Sequence, residues 1–148
     1  MVDRVTSLEV AKLAGVSQSA VSRVFTPGAS ASSKTMLKVR AAAIELGYRP
    51  NILARSLITG KSRIIGLVVA YLDNYFYPVA LEKISNALQA LGYHVLIFMA
   101  SNDSESTDHV IDGLLDYQVD GIIAASVSIS SDLTARCEAA GVPVVLFN

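Results

Sequence analysis

"TSLEVAKLAGVSQSAVSRVFT" (Thr6–Thr26) decides the first part of the fold. Thr6 followed three residues on by Glu9 is the pattern of a capping box, so a helix is expected from about Ser7 to Ala14, where Gly15 permits the left-handed turn that ends it. Its inward residues are expected to be Val10, Leu13 and Ala14. Ser17 then caps a second helix, leaving a short turn between two helices of about two turns each. That arrangement is a helix-turn-helix, whose second helix enters a DNA major groove. Around that second helix Gln18, Ser19, Ser22, Arg23 and Thr26 fall within an arc of roughly 140°, while Ala20, Val21, Val24 and Phe25 fill the opposite side. One side is built for a core; the other carries small polar groups where a merely solvated helix would carry Glu and Lys.

Outward from this stretch, a third helix is expected from about Ser33 to Leu46, closed by Gly47 and fenced off by Pro50. Met36, Val39, Ala42, Ala43 and Leu46 share the face that packs on the first two helices; Leu37 and Ile44 form a second stripe with no assigned partner. The loop "TPGASASS" is small and polar, so its amides and hydroxyls can approach phosphates closely. After Pro50, which forbids a smooth continuation, Asn51 can cap a further helix. Ile52 to Ile58 makes barely two turns, too short to be stable without a partner. The apolar Leu53, Ala54, Leu57 and Ile58 therefore either tuck onto a flanking domain or meet another molecule.

Charge divides the chain near residue 63. Residues 1–63 hold ten Lys/Arg against three acids, a net of +7, and the remaining 85 hold two basic against ten acidic residues, a net of −8. Such asymmetry points to two modules with different partners, the first a polyanion, against the alternative of a merely solvated basic surface. The single cysteine, Cys137, excludes an internal disulfide framework and is expected to be a small core residue. "MVDRVTSLEV" has no secretory pattern, and no apolar run approaches the roughly 20 residues of a membrane span. The expectation is a soluble chain that stays in the cytoplasm.

From Arg63 onward apolar strands alternate with amphipathic helices: "IIGLVVAYL", then "PVALEKISNALQALG", "HVLIFMAS", "SESTDHVIDGLLDYQ", "GIIAAS", "SSDLTARCEAAG" and "VPVVLF". This is the signature of a parallel sheet covered on both faces, whose ligands bind beyond the carboxyl ends of the strands. No Gly-rich phosphate cradle follows the first strand, no P-loop Lys occurs, and His94 and His109 lack a nucleophile or ligand set. Asp73, Asp103 and Asp120 lie at or beside strand ends, which alone carries no meaning. No enzyme, metal or cofactor is expected.

The runs "SLEVAKLAGVSQSAVSRVF", "SKTMLKVRAAAIELGYRPN" and "ARSL" resemble the DNA-binding headpiece of the LacI/GalR (lac-repressor-type) bacterial transcription regulators, with the motifs in order over residues 6 to about 60. The resemblance implies an all-α helix-turn-helix headpiece (residues 1–49), a hinge helix (50–62) and a partial α/β parallel-sheet lobe of the periplasmic-binding-protein type (63–148). It implies a regulator, in the main a repressor, that binds double-stranded DNA as a homodimer on a pseudo-palindromic operator. Base or groove contacts fall on Ser7, Leu8, Gln18, Ser19, Ser22, Arg23, Thr26, Ala54 and Leu57, the last wedging into the minor groove. Phosphate contacts fall on Ser17, Ser32, Lys34, Thr35, Asn51 and Arg55. Gln pairs in bidentate fashion with adenine and Arg with guanine, while hydroxyls serve bases or phosphates, so the side-chain chemistry agrees. For each serine the alternative is a solvated residue or a local cap. Tyr75 and Phe76 match the region that stacks on a small effector, a sugar or nucleobase; packing at the lobe's edge is the alternative. The family continues for roughly as long again beyond Asn148, so the lobe is expected to be truncated, without a two-lobed cleft.

Overall fold

The computed structural model describes residues 4–101 and 103–147. They form two compact units divided between Ile52 and Leu53.

In the first unit, helices α1 (Ser7–Ala14), α2 (Gln18–Val24) and α3 (Ser33–Leu46) enclose a core of Val10, Ala11, Ala14, Val21, Val39, Ala42 and Ala43. Thr6 and Glu9 close the capping box, with the Thr6 amide donating to Glu9 Oε2 at 2.8 Å and the Glu9 amide donating to Thr6 Oγ1 at 3.4 Å. Gly15 and Gly47 take the left-handed conformation that ends α1 and α3. Leu13 departs from its expected inward place: it is 47% exposed, and Ala11 is buried instead. α1 packs against both other helices, and small Ala11 and Ala14 beside Val10 permit that close approach, whereas Leu13 sits a quarter-turn outside it. Met36 and Leu46 are half-buried, and Leu37 and Ile44 stand at 72% and 82% exposure.

The second unit contains most of α4 (Ile52–Thr59) and then β1 (Ile64–Val69), α5 (Phe76–Ala90), β2 (His94–Met99), α6 (Ser104–Asp116), β3 (Gly121–Ala125), α7 (Ser131–Ala139) and β4 (Val144–Phe147). All strand pairs are parallel, in the order β2-β1-β3-β4, so the chain leaves β1 in one direction, returns, and continues on its other side. Two cores result, one on each face: Val68, Ile111, Leu114, Ile122, Leu133 and Cys137 belong to the first, and Leu67, Val69, Tyr77, Leu81 and Ala125 to the second. Central β1 and β3 are buried along their length, while the flanking β2 and β4 alternate between half-buried and exposed. Coverage of both faces therefore holds for the middle of the sheet and thins at its edges.

α5 begins at Phe76, two residues before the expected start at Pro78. Proline is tolerated in a first helical turn because the amide it lacks has no intrahelical acceptor there, and the Asn74 side chain accepts the Phe76 amide at 3.0 Å. The two histidines are exposed, and Cys137 is buried at 1% exposure. No helix among the described residues is long and apolar enough to cross a membrane.

Candidate nucleic-acid interface

The polar side of α2 is positioned by its two neighbours. Ser17 caps it, accepting the Ala20 amide at 3.2 Å, and Val21 anchors the opposite side in the core. Gln18 Nε2 donates to Ser7 Oγ at 2.9 Å, tying the first residues of α1 and α2 together across eleven positions of sequence. This bond uses one amide N–H; the second N–H and the carbonyl oxygen form the donor–acceptor pair that an adenine edge matches. Ser19, Ser22 and Arg23 are exposed on the same side of the helix.

Thr26 is placed differently from expectation. α2 ends at Val24, and the Thr26 hydroxyl donates to the Ser22 carbonyl at 2.8 Å, so the half-buried side chain closes the final turn instead of extending the helical surface. Leu8 is half exposed on α1, and Ser7 is partly buried beneath Gln18.

Three of the six residues expected on the phosphate side, Ser32, Lys34 and Thr35, gather at the start of α3. Ser32 caps it, accepting the Thr35 amide at 3.2 Å while its own hydroxyl donates to Thr35 Oγ1 at 2.8 Å. Both Ser17 and Ser32 are thus local caps, and the caps also order the helix ends that face outward. A concavity of about 280 Å³ lies between α2 and α3, lined by Ala20, Arg23, Ser30, Ala31, Ser32 and Thr35. It joins a guanidinium, hydroxyls and the amino end of a 14-residue helix, a combination suited to a phosphate oxygen. Lys34 is exposed on the first turn of α3.

On α4, Leu53, Leu57 and Ile58 are 59%, 75% and 82% exposed, and Ala54 is exposed beside them. The buried residue of this helix is Ser56, whose hydroxyl donates to the Leu53 carbonyl at 2.7 Å. Within its own unit the helix buries Ser56 and leaves Leu57 and Ile58 largely exposed. Asn51 is exposed and Arg55 half-buried.

At the carboxyl ends of the strands, Tyr75 is 84% exposed and Phe76 55%. The Phe76 ring packs edge-on to Tyr77 and tilted against Phe147, at centroid distances of 5.4 and 6.0 Å. Edge packing and an exposed aromatic surface thus coexist here. Two residues missed in the sequence complete this end of the sheet: Ser126 donates its hydroxyl to Tyr71 Oη at 2.9 Å, and Tyr71 stands T-shaped to Tyr77 at 5.5 Å. The available signal was the position of both residues just after β1 and β3, where the chain reverses its course across the sheet. Among the described residues no group of three or more His, Cys, Asp or Glu side chains is placed to hold a metal ion.

Residues 6–51 match the family model described as bacterial regulatory proteins, lacI family, and residues 62–148 match periplasmic binding proteins and sugar binding domain of LacI family. The sucrose operon repressor of Streptococcus mutans is 37% identical over 140 residues, covering 95% of this chain and 43% of the repressor. Catabolite control protein A of Staphylococcus aureus is 32% identical over 142 residues, covering 96% of this chain and 43% of that protein. A lac repressor dimer solved with operator and the anti-inducer ONPF superposes with a TM-score of 0.81 at 31% identity, covering 97% of this chain and 44% of that one. The chain thus spans a little under half the length of these relatives.

Proposed function

This chain belongs to the lacI family of bacterial regulatory proteins, and from that premise we propose that it is a sequence-specific DNA-binding repressor acting as a homodimer on a pseudo-palindromic operator. The observation that carries the reading is the exposed row Ser19, Ser22 and Arg23 on α2, with Gln18 held beside it by Ser7. In this reading Gln18, Ser19, Ser22 and Arg23 meet base edges in the major groove, and Ser7, Leu8 and Thr26 flank them. Ser17, Ser32, Lys34 and Thr35 hold the phosphate backbone, which sets register without reading sequence.

A two-fold dimer brings two α2 helices to successive major grooves and two α4 helices together at the operator centre. There the exposed Leu57 unstacks a base step, Ala54 lines the groove, and Asn51 and Arg55 reach phosphate or groove edges. Tyr75 and Phe76 would stack on the ring of a sugar or nucleobase-like effector in a protein with both lobes. The chain works in the cytoplasm, without a cofactor and without catalysing a reaction.

Selection of bound duplexes from a random DNA pool tests this reading. A recovered palindrome, bound less tightly as salt rises because neutralised phosphates release counterions, is the expected result. Equal binding of the recovered and scrambled duplexes at every salt concentration refutes it. Calorimetric titration with sugars and nucleosides tests the effector assignment separately, and tight binding with no DNA preference would instead favour a metabolite-binding domain with an accessory basic segment.

A further inference from the structure

Four residues, Gly60 to Arg63, join α4 to β1, and two of them take the left-handed conformation: Gly60 at φ 67° and Arg63 at φ 54°. A left-handed arginine is strained relative to the ordinary regions and persists where its surroundings hold it. Its backbone carbonyl accepts the His94 amide at 2.8 Å, and its guanidinium donates to the Leu91 carbonyl and lies 5.9 Å from the centre of the Tyr93 ring.

The largest share of the hold comes from one carboxylate across the sheet. Asp120 Oδ1 accepts the Ser62 amide at 2.9 Å and the Ser62 hydroxyl at 3.1 Å, and Oδ2 accepts the Arg63 amide at 3.1 Å. Ser62 is 4% exposed, and its hydroxyl oxygen also accepts the Ile64 amide at 3.2 Å. Asp120 stands just before β3 and donates its own amide to the Ile64 carbonyl at 2.8 Å. It therefore binds the joint with its side chain and the first residue of β1 with its backbone.

A concavity of about 550 Å³ lies beside this joint at the amino ends of the strands, with Ser56, Lys61, Tyr93, Gln118, Asp120 and Gly141 among its lining. It lies beside α4, whose buried residue is Ser56. We propose that Asp120 is a positioning residue for operator binding: by latching Ser62 and Arg63 to the start of β3 it sets the point and direction at which α4 leaves the lobe. In the dimer of the reading above the two α4 helices meet at the operator centre, so the latch governs the central spacing between half-sites that the protein accepts. The inference rests on the DNA-binding reading above.

The test uses the whole chain and the palindrome recovered by selection, together with versions shortened or lengthened by one base pair at the centre. The readout is the ratio of affinities for correct and altered spacing, with the melting temperature measured alongside. Asp120→Ala, which removes all three hydrogen bonds to the carboxylate, is expected to lower that ratio about tenfold and to leave non-specific binding unchanged. Asp120→Asn, which keeps an acceptor for Ser62, should recover part of the ratio. A lower melting temperature with the wild-type ratio intact would assign Asp120 a purely structural role and overturn the proposal. Should Asp120→Ala not fold, Asp120→Asn gives the readout, because its NH2 group cannot accept one of the two backbone amides that the carboxylate holds, and a wild-type ratio there overturns the proposal equally. A wild-type chain with no preference among duplexes removes the DNA-binding reading itself, a failure seen before any variant is made.

Discussion

Gly66 sits in the middle of β1, and a Cβ built there would lie 2.7 and 2.9 Å from the two terminal methyls of Leu114 and 3.3 Å from its Cγ. Contact between carbons is comfortable near 3.5–4.0 Å, so Gly66→Ala drives a methyl about an ångström into its neighbour. Leu114 is fully buried beside Ile111 and Ile122 in the core on that face, and its end has no solvent to move into. Relief requires an off-rotamer leucine or a shift of α6 away from the sheet, and overpacking of this kind costs about 1–3 kcal/mol. The smaller backbone entropy of alanine in the unfolded chain returns about half to one kcal/mol, leaving a net loss of up to about 2.5 kcal/mol. Urea denaturation followed by circular dichroism measures it. The decisive variant is Gly66→Ala combined with Leu114→Val, which withdraws the clashing methyls. The pair should be less destabilised than the sum of the singles by about 1 kcal/mol or more. Strict additivity would refute the argument, since it would mean the two side chains do not compete for the same space.

Three further outcomes are expected. Hydrogen bonds from the Thr6 amide and hydroxyl hold the Glu9 carboxyl below its ordinary value of 4.5; a group depressed in the folded state contributes stability above its unfolded pKa and loses it as pH falls through the folded one. The Thr6 amide should therefore lose exchange protection, measured against the intrinsic rate at each pH, and lose its distinct chemical shift as pH falls from the ordinary carboxyl range through the lowered folded value, and Glu9→Gln should flatten that dependence. Leu57→Gly should weaken binding to the selected palindrome by more than it weakens non-specific binding in a gel-shift titration, and an equal loss on both would remove the wedge from the account. Burial pushes the Cys137 thiol up, and the side chain is 1% exposed, so labelling by an aromatic disulfide reagent should follow global unfolding; a fast reaction in the native protein would place Cys137 outside the core.

The boundaries of α1 and α3 and the places of the four strands were legible because each is written locally: capping side chains at one end, glycine at the other, and an apolar run between turn residues; the expected runs overshot β1 and β2 at their ends and β4 at its start by two or three residues. The faces were less so. Periodicity put Leu13 inward, but which of several apolar positions a short helix buries is set by the helices on either side, and here they favour the alanine. Thr26 belongs to the polar arc of an ideal helix, yet the helix stops two residues earlier and its hydroxyl turns to the backbone. The Gln18–Ser7 bond and the Asp120 latch join residues 11 and more than 50 positions apart, and no local pattern announces such pairs. For the interface, the residue types and their spacing were readable; which hydroxyls cap, which amide is tethered and which residues remain outward became readable once the helices were assembled.

The strand order has a consequence for how the chain is made. β1 is synthesised first among the strands and ends up between β2 and β3, both of which follow it. At the usual roughly 5–20 residues per second, the apolar segment "IIGLVV" emerges from the ribosome several seconds before Ala125 completes its second neighbour. The three-helix unit, whose contacts are local, can settle during that interval, while β1 remains a bare two-sided template. Synthesis thus passes through a stage at which the three-helix unit is already formed and the lobe presents its most apolar strand unpaired, the stage at which a chaperone would find most to hold.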